Sequence, residues 1–113
     1  MLRQIALFLM AVMLGSTINP VHSDQTGSGE LSKASKIYME YCFSCHEFGV
    51  NGAPAPGDTE AWDARLRQGR EVLLRNTISG IPPVMPPRGL CEACTDSELD
   101  VVLDFMIHGA GGA

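Results

Sequence analysis

The sequence predicts an all-α domain of three to five helices. Residues 31–41 and 99–106 place apolar side chains at helical spacing, the second group behind a capping box. No run alternates apolar and polar residues at strand period. Gly- and Pro-rich stretches divide the remainder into short pieces.

The chain has 113 residues, enough for one small domain. Its first stretch is set apart from that domain. Arg3 supplies a positive charge, Ile5 to Gly15 is an apolar run, Asn19-Pro20 breaks it, and Val21 and Ser23 stand where a signal-peptide cleavage site places small residues. Residues 1–23 are therefore expected to be a secretory signal peptide and 24–113 the mature domain. The apolar run is short for a bilayer span, which takes about 20 residues. An uncleaved signal would be a direct route to a membrane; the other is through partner proteins. Loss of Arg3 makes the mature domain one unit more negative than the −5 of the whole chain. An acidic surface argues against nucleic acid and permits a partner with a basic docking patch.

Residues 24–30 are polar and Gly-rich and read as a frayed lead-in. The first helix is expected over about residues 31–41, with Leu31, Ala34 and Tyr38 on one face, ending at the cluster Cys42-Phe43-Ser44-Cys45-His46. Residues 48–58 carry three Gly and two Pro and form a loop. Asp58 or Thr59 caps a short helix bearing Ala61, Trp62, Arg65 and Leu66, which Gly69 breaks. A third helix covers about residues 71–79 and stops at Gly80. Ile81 to Arg88 holds four prolines and reads as a stiff extended loop. Thr95-Asp96-Ser97-Glu98 then caps the last helix, with Leu99, Val102, Leu103 and Met106 on its apolar face, before the glycines that follow His108 end it.

Cys42-x-x-Cys45-His46 is the spacing that attaches haem c. Two thiols three residues apart at a helix end can each add to one vinyl group on a porphyrin edge, and the adjoining imidazole then lies at the iron as its proximal ligand. One covalent haem is the expected cofactor. The competing reading is a four-thiolate zinc module, since Cys91-x-x-Cys94 is a second pair. Against it stand the long separation of the pairs and the helical surroundings. A thioredoxin-like dithiol lacks the βαβ context.

For the second axial position the candidates are Met39, Met85, Met106 and His108. Met39 precedes Cys42 by one turn and is badly placed to cross to the other face. Met106 lies on an apolar helix face, where packing explains it. His108 ends a helix, where an imidazole suits the dipole. Met85 stands between Pro82-Pro83 and Pro86-Pro87, in a loop stiff enough to hold a thioether at the iron. It is the expected ligand, with loop packing and an open or His-ligated iron as the alternative.

The runs CFSCHEFGVNGAPAPGDTEAW, MPPRG, C-x-x-C and DSELDVVLDFM together resemble the cytochrome c5 group of class I c-type cytochromes, over nearly all of residues 31–107. The resemblance implies the small cytochrome c fold around one covalent haem, with the first and last helices crossed so that Ala34 and Tyr38 meet Phe105. It implies a disulfide between Cys91 and Cys94, which an exported protein can form. It also implies that the Pro54 carbonyl orients His46, with Pro56 as rival, and that Trp62 packs at the haem or fills core. Arg65 and Arg88 are candidates to pair with propionates or to be solvated. The function implied is single-electron transfer between respiratory or other periplasmic redox partners, docked transiently, by a monomer or weak dimer that is not an enzyme. The alternatives are a haem-bearing subunit of a larger oxidoreductase, a gas-binding haem protein with Met85 off the iron, and the zinc module.

Overall fold

A computed structural model describes residues 25–110. The expected signal peptide lies outside those residues. None of the described helices is long and apolar enough to cross a membrane.

α1 runs over Gln25–Ile37 and leads directly into a π-helical turn, Tyr38–Cys42, and then α2, Phe43–His46. These three pieces form one bent helix. It starts earlier than expected, because the Gly-rich lead-in is helical from Gln25 onward. It also ends later, since the cysteine cluster is itself helical. In the π turn the Phe43 N–H reaches back to the Tyr38 carbonyl, a five-residue closure that inserts one residue into the helical repeat. The residues beyond, Cys42 to His46, are thereby rotated relative to the α1 face that packs against the core.

A loop follows, with a 3-10 turn at Val50–Gly52 entered through Gly49 at φ 65°. It is fastened to the far end of the chain: the Gly57 N–H donates to the Met106 carbonyl at 2.9 Å. Gly57 and Gly109 sit so close that a Cβ on Gly57 would meet the Gly109 Cα at 3.4 Å. α3 (Thr59–Leu66) is capped by the Asp58 carboxylate, which accepts from the Ala61 N–H at 3.1 Å. α3 ends at Leu66 with Arg67 as its C-cap, and Gly69 is the N-cap of α4 (Arg70–Ser79). α5 (Asp96–His108) has the full capping box, with Thr95 Oγ1 accepting from the Glu98 N–H and Glu98 accepting from the Thr95 N–H. Among the described residues the only β-type pairing is an isolated bridge between Ile81 and Met85.

α1 packs chiefly against α5, and α4 lies against α5 as well. Ala34 and Tyr38 are buried at the first crossing, where the Tyr38 and Phe105 ring centroids are 5.2 Å apart. Leu99, Val102, Leu103 and Met106 are all buried along α5, joined by Phe105 and Ile107. α4 is tied to α5 by Arg70, whose guanidinium meets the Asp100 and Asp104 carboxylates at 2.5 and 2.6 Å. These helices, with no named strand among the described residues, make the all-α architecture that the apolar spacing implied.

Candidate haem site

Two adjoining clefts open between the bent first helix and the Pro-rich loop. They share Cys42, His46, Pro54, Arg65, Ile81 and Met85. The inner cleft is walled by Trp62, Leu73, Val102, Leu103 and Met106. The outer one is rimmed by Cys45, Val50, Val84 and Leu90.

The end of the π turn supplies Cys42, and the helical turn Phe43–His46 that follows supplies Cys45 and His46, so both thiols and the imidazole come from one short segment. Cys42 is half-buried and Cys45 exposed, and neither is bonded to another cysteine. Burial pushes the Cys42 thiol up to about 11, and the nearby Cys45 adds to that shift. Half-buried His46 is turned so that its Nδ1 lies 2.8 Å from the Pro54 carbonyl oxygen. A carbonyl only accepts, so Nδ1 carries the hydrogen and donates it. Nε2 is left as the nitrogen with a free lone pair, the form in which imidazole binds a metal. Burial holds the imidazole below its ordinary pKa, opposed by the Pro54 bond and assisted by the Arg65 charge, so the neutral form is favoured. Pro54 rather than Pro56 makes this contact.

Met85 is half-buried and lines both clefts. Its loop folds back on α4: the Ile81 N–H donates to the Met85 carbonyl and the Met85 N–H to the Ile81 carbonyl, both at 2.9 Å. The other candidates lie elsewhere or are otherwise occupied. Met39 is 58% exposed on the π turn, and His108 is exposed at the end of α5. Met106 reaches the inner cleft as part of the buried α5 face.

Trp62 is buried in the main core and also walls the inner cleft, and its Nε1–H donates to the Ala55 carbonyl at 2.8 Å. That bond holds the segment carrying Pro54, a role the sequence did not disclose. Arg65 donates to the Ala61 and Gly52 carbonyls. Arg88, a candidate for solvation or a propionate, is instead engaged by the Cys94 carbonyl and the Asp96 carboxylate. Cys91 and Cys94 are bonded to each other and buried with Leu99 in a second small core. That bond removes two ligands from the four-thiolate zinc reading, and no cluster of three or more metal-ligating residues occurs among the described residues.

The donor set fits a flat, largely apolar group that bonds two thiols along one edge and takes an imidazole nitrogen and a thioether at its centre. The walls fit it too. They are mostly aliphatic, which suits a porphyrin plane and excludes water from it.

The profile of the family described as cytochrome c oxidase, cbb3-type, subunit III matches residues 29–106. Cytochrome c5 of Ectopseudomonas mendocina is 42% identical over 83 residues, covering 72% of this chain and 94% of that protein. Cytochrome c5 of Azotobacter vinelandii is 35% identical over 80 residues, 69% of this chain and 95% of the relative. Cytochrome c-555 of Chlorobaculum tepidum is 27% identical over 103 residues, 88% of this chain and 94% of the relative.

Proposed function

The chain belongs to the cytochrome c family, in its cytochrome c5 group, and from that premise we propose how its own residues hold the cofactor and where it works. It is an electron-transfer protein with covalently bound haem c, and such carriers work with redox partners. The haem, when bound, supplies the one-electron chemistry, its iron passing between ferric and ferrous.

Cys42 and Cys45 would hold the haem through thioethers, and His46 Nε2 and the Met85 thioether would bind its iron. The Pro54 carbonyl fixes the tautomer and ring angle of His46. Trp62 secures Pro54 through its bond to Ala55 and packs beside the inner cleft. The Cys91–Cys94 bond pins the chain where it leaves the Met85 loop. The apolar walls from Leu73 to Met106 would keep water from the cofactor. Cys45, Val50, Val84 and Leu90 form the mouth through which a partner is reached. Export with removal of residues 1–23 places the protein in the periplasm, where it meets its donor and acceptor transiently as a monomer or weak dimer.

The observation that carries this reading is the His46–Pro54 bond, made inside a cleft that Cys42 and Met85 also line. Met85→Ala tests it. The variant is expected to lose the weak charge-transfer band at the red end of the ferric spectrum and to show a lowered reduction potential, because thioether sulfur favours the ferrous state. An unchanged band would remove Met85 from the iron.

A further inference from the structure

We propose that Gly80 and Arg88 are positioning residues for Met85, each fixing one end of the Pro-rich loop. The proposal rests on Met85 being an iron ligand.

At the entry end, α4 closes with the Gly80 N–H on the Asn76 carbonyl, and Gly80 takes φ 78°. The chain then folds back through the two Ile81–Met85 bonds and a third from the Val84 N–H to the Ile81 carbonyl. This lays the backbone of Met85 to Pro87 directly over Gly80. A Cβ on residue 80 would stand 2.7 Å from the Pro87 nitrogen, 2.8 Å from the Met85 carbonyl oxygen and 2.9 Å from the Pro86 carbonyl carbon. All three are main-chain atoms, so no side-chain rotation makes room. Any side chain at position 80 displaces the peptide of Met85 itself.

At the exit end, Arg88 adopts φ 58°. Its guanidinium donates to the Cys94 carbonyl at 2.5 Å and pairs with Asp96 at 2.8 Å. Those partners are the disulfide turn and the first turn of α5. Pro86 and Pro87 between Met85 and Arg88 have no N–H to give, and a backbone bond to this pair, from the Gly89 N–H to the Pro86 carbonyl at 3.2 Å, also comes from the exit end.

The test compares holoproteins carrying Gly80→Ala, Arg88→Gln, Met85→Ala and Gly69→Ala. Gly69 has φ 93° but nothing within 4 Å of where a Cβ would stand, so alanine there brings backbone strain without collision. The readouts are the red ferric band and the affinity for added imidazole, which competes with Met85 for the iron. Gly80→Ala is expected to bind imidazole about tenfold more tightly than wild type, because the Met-bound state is less favoured, and to lose band intensity. Arg88→Gln moves both in the same direction by a smaller factor, and Gly69→Ala leaves both unchanged.

Wild-type affinity in Gly80→Ala and Arg88→Gln alike overturns the proposal, while a shift in one alone removes the other residue from the role. If Gly80→Ala gives no folded haem protein, Arg88→Gln decides. Met85→Ala separates the two levels. If it too behaves as wild type, the ligand reading has failed; if it alone shifts, only the positioning role has.

Discussion

His46 has one nitrogen committed to the Pro54 carbonyl, and that bond determines which nitrogen faces the cleft. Its support is indirect. Trp62 holds Ala55, one residue further along, through a buried indole N–H. Trp62→Phe keeps an aromatic ring but removes the donor and leaves the Ala55 carbonyl without it. That carbonyl keeps the Asp58 N–H at 3.2 Å, so the expected cost is about 1 kcal/mol in a denaturant titration of the holoprotein, from the lost bond alone. At this scale the sequence was informative where chemistry depends on neighbours along the chain. Cys42, Cys45 and His46 are adjacent, and the prolines around Met85 stiffen it locally. The Trp62–Ala55 bond, the engagement of Arg88 by Cys94 and Asp96, and the close approach at Gly80 were not legible, because each depends on how separate segments meet in space.

α1 and α5 cross at the start and end of the domain, and their contact is reinforced at the surface. Lys33 on α1 meets the Glu98 carboxylate on α5 at 2.6 Å. The same carboxylate closes the capping box. Thr95→Ala should cost about 1 kcal/mol, the usual worth of an N-cap, read as a shift in denaturation midpoint at constant slope. Glu98 also links stability to pH. Lys33 foremost, and then the Thr95 N–H, hold its carboxyl below the ordinary range. A carboxyl with a depressed folded pKa contributes stability that is present above its unfolded value, about 4.3, and is lost as pH falls through the folded value. Thermal unfolding followed from neutral to acidic pH should show that loss, and Glu98→Gln should flatten part of it. A wild-type acid slope in Glu98→Gln would show that the pair contributes nothing. The capping box could be read from four consecutive residues. The π turn at Tyr38–Cys42 could not, because its apolar positions also satisfy an ordinary helical repeat. The helical start at Gln25 was hidden by two glycines that disfavour a helix and by lying beside the expected cleavage site.

At the scale of the whole molecule, the core borders the inner cleft. α5 and α4 turn Leu73, Val102, Leu103 and Met106 toward the inner cleft as well as toward each other. A domain this small gains little from apolar burial alone, so a bound porphyrin is expected to complete the core. Cys42→Ala with Cys45→Ala, which removes both attachment points, should therefore give a chain that unfolds at lower denaturant than the holoprotein. The runs Cys42 to Trp62, Met85 to Gly89 and Asp96 to Met106, with the second cysteine pair, were enough to suggest the family and its fold. The clefts themselves arise from the fold-back of the Met85 loop onto α4, which no local pattern encodes. His46 and Met85 are proposed to occupy both axial positions on one haem. Carbon monoxide added to the reduced wild-type protein tests this most directly: the visible spectrum is expected to stay unchanged, and prompt conversion to a carbon monoxide-bound spectrum would contradict it.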